Sequence, residues 1–201
     1  MRVRVAVDAN QLDRFAPHTH PLWWGILGAV AIEAAVVATL LTSWFYLATQ
    51  SAAWPPEGTA PPPILWPTVV LCLLPVSSMT MWWAGKGSDA GDARRLSLGL
   101  ALSVLVACLV LGVRAVQMTA FDIRWDAHAY GSMLWVITGF HFTHVASAIV
   151  GTAAVTVLSF RGYFTPSRQL GVVVDTLYWY FVAAAYLPIY LVLYIAPRVL
   201  Q

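Results

Sequence analysis

The sequence predicts an all-α integral membrane protein, a bundle of five transmembrane helices with its N-terminus inside the cell and its C-terminus outside. Of the 201 residues, 60% are hydrophobic and only 10% are charged, against about 25% charged residues in an ordinary soluble domain. The few charges are clustered, which leaves long stretches without any. Runs of about 20 apolar residues cross the ~30 Å hydrocarbon core of a bilayer as helices. The pattern contains no strand signals and no internal repeat.

The first predicted span covers residues 22–49 and contains a single charged residue, Glu33. Trp24 near its start and Trp44 near its end are typical of aromatic residues at the two membrane interfaces. The proline-rich stretch from Pro55 to Pro67 follows it. Proline removes backbone donors and disfavours helix, so this stretch predicts a stiff loop outside the membrane.

Four further spans follow the loop, and each is bounded by charged or turn-forming residues. Polar turns are predicted at 86–95 and 161–171, where charges and glycines concentrate. We interpret the whole chain, 1–201, as a single membrane domain. The predicted spans after the first are 65–85, 96–119, 131–160 and 172–197.

Orientation follows from the distribution of lysine and arginine, because positively charged loops remain in the cytoplasm. One set of loops contains Arg2, Arg4, Arg14, Lys86, Arg94, Arg95, Arg161 and Arg168, and the other contains Arg114, Arg124 and Arg198. The imbalance predicts an inner N-terminus. The first 21 residues are polar and lack the apolar core of a cleavable signal, so we expect the first span to be retained as an anchor.

Several classes of protein are excluded by what the sequence lacks. The net charge of +2 and the absence of a basic stripe exclude a nucleic-acid partner. Cys72 and Cys108 both fall inside spans and form no ligand pair or disulfide framework. The sequence also contains no phosphate-binding loop, nucleophile elbow or zinc-protease motif. We therefore predict that this chain has no catalytic residues and is not a soluble enzyme.

Three ionisable residues fall near the middle of the predicted membrane, where such groups are costly and mark candidate sites. Glu33 lies about 11 residues into the first span, roughly 16 Å deep at ~1.5 Å per residue. His141 enters from the opposite side and reaches about the same depth, and His144 follows one turn later. The coincidence of depth predicts a contact between Glu33 and one of the histidines. A purely structural, protonated Glu33 and a proton-conducting relay are the alternatives.

The spacing of His141 and His144 places both imidazoles on one helix face. A zinc site needs further ligands, and no other histidine lies within the membrane to complete a bis-histidine haem site. We therefore predict no metal or haem on this chain. The remaining histidines, His18, His20 and His128, are predicted to lie outside the membrane.

Other polar or small residues within the spans have a less specific meaning. We expect Arg114 to extend its side chain from the third span toward the outer interface. Asp175, near the inner end of the fifth span, is expected to be interfacial and solvated, or else to line a polar mouth. Further candidates for close packing against a lipid or another helix are Trp24, Gly25, Gly28 and Trp179.

Several motifs occur in the order found in one known family. The most specific is Thr138-Gly139-Phe140-His141-Phe142-Thr143-His144-Val145, preceded by Tyr130-Gly131-Ser132. Glu33 in the first span, the Trp54-Pro55-Pro56 loop and Gln117 near the end of the third span also match. On these residues the chain resembles cytochrome c oxidase subunit III of the haem-copper oxidases, in its short five-helix bacterial form.

The resemblance implies a non-catalytic subunit of a terminal oxidase in the bacterial plasma membrane. In the family, haem and copper are held by subunits I and II, and subunit III packs on subunit I and binds phospholipid. It therefore implies partners for this chain but no cofactor of its own. It also implies a supporting role in aerobic respiratory electron transport.

Three alternatives remain open. The family's last helix has a His and an Asp where this chain has Tyr180 and Ala183, which leaves room for a subunit III-like accessory protein of a nitric oxide reductase. A small proton channel or transporter would use Glu33 and His141. A b-type cytochrome or quinol-binding anchor would show haem absorption in the purified chain.

Overall fold

The structure is a computed structural model that describes residues 16–199, and it confirms five helices long and apolar enough to cross a membrane. Residues 16–199 contain no β-strand. The predictions about the basic N-terminal residues and the missing signal concern residues 1–15, which lie outside the described range. The helices are α1 (Pro21–Thr49), α2 (Leu65–Ala90), α3 (Ala93–Thr119), α4 (Ala129–Phe160) and α5 (Leu170–Val199), the last with a π-helical turn at Leu191–Ile195.

The turn between α2 and α3 is shorter than the predicted polar turn over 86–95. α2 continues through Lys86, and only Gly91 and Asp92 separate it from α3. Gly91 adopts a φ of 70° and ends α2, and the Asp92 carboxylate accepts a hydrogen bond from Arg95 N at 2.9 Å and caps α3. The prediction was wrong because helices extend beyond the hydrocarbon core, where charged side chains on the last turns are solvated.

Prolines fall inside the helices as well as in the loop. α2 begins at Leu65, as the predicted span 65–85 does, so Pro67 lies in the first turn of α2 and not in the predicted loop. The first-turn amides have no partner within the helix, so a proline there removes no hydrogen bond. Pro75 and Pro188 lie in the interiors of α2 and α5, where neighbouring helices make such residues tolerable in membrane proteins.

The central pair of the bundle is α2 and α3, which make the most extensive helix contact in the structure. Gly99 on α3 lies directly against α2, and a Cβ built there would be 2.7 Å from Ala84 Cβ. Because association in a bilayer depends on close packing, a glycine at the crossing lets the two backbones approach. α4 packs on α3, and α5 packs on both α2 and α4.

Helix α1 lies at the edge of the bundle and contacts α4 and α5. Only 6% of the residues in its most apolar stretch are buried, against 39% for α3. Most of its apolar surface therefore faces outward. This outward surface is available to lipid or to another protein.

The outer end is closed by the loop between α1 and α2, which folds back over the helices. Trp54 in this loop packs against Trp44 of α1 and Tyr130 of α4, with ring centroids 5.0 and 5.1 Å away. Tyr186 of α5 donates a hydrogen bond to Pro67 O at 3.0 Å. These contacts hold the outer ends of α1, α2, α4 and α5 together.

The exposed loop between α3 and α4 carries an ion pair. Arg124 Nε and Nη2 donate to the two oxygens of Asp126 at 2.9 and 2.7 Å. Hydrogen bonding from the Arg124 guanidinium lowers the pKa of the Asp126 carboxyl. The pair lies at the surface, so its contribution to stability is small.

We expect single cysteines placed in the 52–62 loop to react with a membrane-impermeant thiol reagent in intact cells. Cysteines placed in 86–93 should react only after permeabilisation, because Lys86, Arg94 and Arg95 mark the cytoplasmic side. Mass-tag labelling of both sets in parallel makes the measurement, with Cys72 and Cys108 replaced by serine as the background. The reverse pattern would contradict the predicted orientation.

Candidate functional site

Glu33 on α1 and His144 on α4 meet near the middle of the membrane. Glu33 Oε2 lies 3.3 Å from His144 Nε2, and the two side chains are 26% and 16% exposed. The two groups are close enough for a charge contact but are not aligned for a hydrogen bond. The contact joins the edge helix α1 to the rest of the bundle.

The ring of His144 is oriented by its own helix. Nδ1 lies 2.7 Å from Phe140 O, and because a carbonyl oxygen can only accept, Nδ1 carries the proton. Nε2 of the neutral ring then has a free lone pair that faces Glu33.

His141 takes no part in this contact, although the sequence placed it at the depth of Glu33. It is 2% exposed, and its Nε2 lies 3.2 Å from Val182 O on α5. Its ring packs on Tyr186, with centroids 4.9 Å apart. We expected both imidazoles to lie on one face of the helix. In the structure they face different neighbours, His141 facing α5 and His144 facing α1.

Asp175 does not lie in a solvated interface as expected. Its Oδ1 accepts a hydrogen bond from Thr152 Oγ1 of α4 at 3.1 Å. Its Oδ2 is buried and has no hydrogen-bond partner among the residues that the structure describes. Gly151 of α4 lies beside the carboxylate, since a Cβ built there would be 3.4 Å from Oδ1.

Arg114 is fully buried, so the expectation that it reaches the outer interface was wrong. Nη1 donates to Gln117 Oε1 at 2.8 Å and Nη2 donates to Thr138 O at 3.1 Å. The guanidinium lies over the Tyr186 ring, 5.2 Å from its centroid. Polar groups on three helices thus solvate the cation internally. The sequence analysis missed this site. Gln117, one turn after Arg114, could have indicated it, because its amide oxygen can accept a hydrogen bond from the guanidinium.

The other predicted packing residues divide into two groups. Trp24 is 63% exposed, and a Cβ built at Gly25 or Gly28 meets no atom of the described chain within 4 Å. In the described part of the chain these three residues therefore form an outward-facing surface, and Trp24 Nε1 donates to His18 O at 2.9 Å. Trp179 is buried in the bundle, so it packs helices and is not exposed to lipid.

A groove opens near the inner end, where α1, α2 and α5 diverge. It has a volume of about 350 Å³ and is bounded by Trp23 of α1, Trp82 of α2 and Tyr180 of α5. Lys86 and Asp89 lie at its mouth, with Nζ and Oδ2 3.8 Å apart. The groove is thus apolar along its walls and carries two charged side chains.

The described residues, 16–199, bring together no group of three or more His, Cys, Asp or Glu side chains. His141 is bonded to a backbone carbonyl and His144 contacts a carboxylate. Neither imidazole faces another imidazole. The donor set of these residues does not fit a bis-histidine haem or a tetrahedral metal site.

Comparison with known proteins identifies the family. A sequence model described as cytochrome c oxidase subunit III matches residues 15–197. Proteins named cytochrome c oxidase subunit 3 are similar to this chain in several organisms. The protein of Gallus gallus is 30% identical over 145 residues, which are 70% of this chain and 54% of that protein.

Bacterial relatives of the same name match more of the chain at lower identity. The protein of Synechocystis sp. is 24% identical over 181 residues, which are 89% of this chain and 78% of the relative. The protein of Thermostichus vulcanus is 24% identical over 184 residues, which are 90% of this chain and 91% of that relative. The chain thus spans about half the length of the bird relative and most of the two bacterial ones.

The match runs through all five helices and includes the elements that carry Glu33, His141 and His144. It confirms the resemblance inferred from the motifs. The chain is a multi-pass membrane protein that belongs to the cytochrome c oxidase subunit III family.

Proposed function

We propose that this chain is a non-catalytic supporting subunit of a haem-copper terminal oxidase in the bacterial plasma membrane. It acts there as one membrane unit that packs on subunit I beside subunit II. The observation that carries the proposal is the family match over residues 15–197. Haem and copper belong to the partner subunits in this proposal, and electron transfer does not pass through this chain.

The outward surface of α1 supports docking on a partner subunit. A Cβ built at Gly25 or Gly28 would meet no atom of residues 16–199 within 4 Å, and Ile32, one turn further along, is 68% exposed. Small residues at this spacing let a second helix approach closely, which is the main driving force for helix association in a bilayer. We assign this surface, defined by Trp24, Gly25, Gly28 and Ile32, to contact with subunit I.

The Glu33–His144 pair has a positioning role in this proposal. α1 has few buried residues, so apolar packing alone fixes its orientation weakly. A polar contact across helices in the membrane contributes about 1 kcal/mol. By fixing the rotation of α1 against α4, the pair presents the α1 surface to subunit I. We assign no catalytic role to Glu33, His141 or His144.

Phospholipid is the expected ligand of the groove between α1, α2 and α5. Trp82 and Tyr180 provide apolar walls for an acyl chain, and Lys86 lies at the level of the headgroups. Lys86 is half exposed and only loosely paired with Asp89, so its ammonium remains available to a phosphate. The exposed Lys86 ammonium favours an anionic phospholipid over a neutral one.

We expect Lys86→Glu to reduce the anionic phospholipid that co-purifies with the complex by about fivefold. One basic side chain near a membrane surface contributes about 1 kcal/mol to binding of anionic lipid, and the substitution adds repulsion. Lys86→Arg is the matched control and should retain the lipid. Mass spectrometry of lipid extracted per complex provides the measurement. Equal lipid content in all three proteins would contradict the assignment of the groove.

The proposed function is tested by purifying the affinity-tagged chain from native membranes in a mild detergent. We expect oxidase subunits I and II to co-purify in equal amounts, together with haem and copper. Co-purification with nitric oxide reductase chains would instead support the accessory-protein alternative. Recovery of the chain alone, with proton flux in liposomes or a haem absorption band, would overturn the proposal.

A further inference from the structure

His128 lies at the outer end of the bundle, where the loop between α1 and α2 meets the start of α4. Its Nδ1 lies 3.0 Å from Gly131 N, and its Nε2 lies 3.5 Å from Thr59 Oγ1. We call these two contacts the His128 clasp. We propose that the clasp is a pH-sensitive switch, which is closed while the imidazole is neutral and opens when it is protonated. The proposal uses the geometry of this chain alone and does not depend on attachment to other subunits.

The first contact of the clasp is the N-terminal cap of α4. The first amides of a helix have no partner within it, and the usual capping side chains supply an oxygen atom that accepts a hydrogen bond. Here the acceptor is an imidazole nitrogen. Because Gly131 N–H can only donate, Nδ1 presents its lone pair and the proton of the neutral ring is on Nε2. The cap of α4 therefore exists only while Nδ1 of His128 is unprotonated.

The second contact of the clasp joins α4 to the outer loop. With its proton on Nε2, the ring points a donor at Thr59 Oγ1, and Thr59 is fixed in its turn by a hydrogen bond from its amide to Pro56 O at 2.9 Å. The Nε2 contact is long for a hydrogen bond, so it holds the clasp less firmly than the cap does. His128 also lines two outer pockets, of about 480 and 340 Å³. Rotation of its ring would therefore alter the loop contact and both pockets together.

Protonation of His128 makes this geometry unfavourable. Both ring nitrogens of an imidazolium are donors, so Nδ1–H would face Gly131 N–H. The positive ring would also lie at the positive end of the α4 dipole. His128 is only partly buried, so it can exchange protons with water, and histidines titrate between about pH 5 and pH 8. The clasp is therefore closed above this range and is lost as the pH falls through it.

Two carboxylates near His128 attract the protonated ring out of the cap. Glu57 of the α1–α2 loop lines the smaller pocket beside the ring, and Asp122 of the α3–α4 loop lines the larger one. Neither carboxylate forms an ion pair within residues 16–199. An imidazolium thus gains a counter-charge by leaving Gly131 N. The other charged or titratable groups nearby, from the α3–α4 loop, α4 and α5, are Arg124, Asp126, Tyr130 and Arg198.

Hydrogen exchange in the first turn of α4 tests the switch. The affinity-tagged chain is purified with its co-purifying subunits in mild detergent, and exchange is followed by mass spectrometry at about pH 8 and about pH 5, at the two limits of the histidine range. Each rate is divided by the intrinsic chemical rate at that pH. We expect amides 129–132 to be about fivefold less protected at the lower pH, which corresponds to the ~1 kcal/mol typical of a lost helix cap.

Two substitutions fix the clasp in one state each. His128→Asn supplies a capping amide oxygen that does not titrate, so the first turn should stay protected at both pH values. His128→Ala removes the cap, so the first turn should be about fivefold less protected at both. His18→Asn is the matched control, because His18 is an exposed histidine near the start of α1, and α4 should then respond as in the unmodified protein.

Equal protection of the first turn at both pH values in the unmodified protein would overturn the switch. A pH response that persists in His128→Asn would overturn it as well, because the response would then come from another titrating group, such as Glu57 or the Glu33–His144 pair. Recovery of the chain without oxidase subunits, with the response of the first turn intact, would overturn the proposed function and leave the switch standing.

Discussion

Replacing Arg114 with alanine is expected to destabilise the bundle by about 2–5 kcal/mol, the range for large-to-small substitutions in packed interiors. The side chain is fully buried and fills the space between α3, α4 and α5. Its loss leaves a cavity and removes the donors to Gln117 Oε1 and Thr138 O. Unfolding in detergent, followed by circular dichroism against temperature or added SDS, measures the loss.

Arg114→Met is the matched control for this prediction. Methionine fills much of the volume and removes the buried charge, and replacing a buried charge with an apolar side chain is often neutral or stabilising. We therefore expect Arg114→Met to be clearly more stable than Arg114→Ala. If both variants lose the same stability, the charge and its hydrogen bonds hold the helices together, and packing is secondary. Little loss in Arg114→Ala would contradict the internal role.

Glu33 is expected to react selectively with a hydrophobic carbodiimide, which attacks the protonated carboxyl in an apolar site. Glu33 is 26% exposed and lies within the apolar span α1, so a hydrophobic reagent can reach it from the lipid. Glu33→Gln should abolish the labelling and preserve assembly, since an amide can still contact His144. Peptide mass spectrometry locates the label, and Glu57 in the outer loop is the solvated carboxyl for comparison.

The same residue should determine how firmly α1 is held. Glu33→Leu removes the polar contact to α4, at a cost of about 1 kcal/mol, and we expect faster hydrogen exchange in α1 with unchanged exchange in α2 and α3. In Glu33→Gln, the amides of α1 should exchange at the rate of the unmodified protein. Equal exchange in Glu33→Leu would show that apolar packing alone orients α1, and labelling that persists in Glu33→Gln would place the reactive carboxyl elsewhere.

The number and approximate limits of the helices could be predicted from the sequence because crossing a bilayer is a local property. An uncharged run longer than the hydrocarbon thickness has one stable structure, whatever its neighbours. The errors fell at the ends, as at 86–95, where water makes helix and turn similarly stable. The family was likewise determined by a continuous motif, Thr138 to Val145, which needs no tertiary information.

The contacts of the polar residues were decided only by the tertiary structure. Residues three apart on a helix point about 60° away from each other, so the position of α1 and α5 around α4 decides that His144 meets Glu33 and that His141 does not. Arg114 could in principle extend to the interface, and the carbonyl of Thr138 and the ring of Tyr186 hold it inside instead. The hydrogen bond from Thr152 likewise holds the Asp175 carboxylate inside the bundle.

The sequence by itself thus determined that five helices are long and apolar enough to cross the membrane, and it predicted a contact between Glu33 and one of two histidines. The tertiary structure decided which imidazole takes part and which charges are buried. The physical reason is that the length of an apolar stretch decides whether that helix crosses the membrane, independently of the other helices. The energy of a buried polar group, by contrast, depends on the partners that neighbouring helices bring within about 3 Å of it.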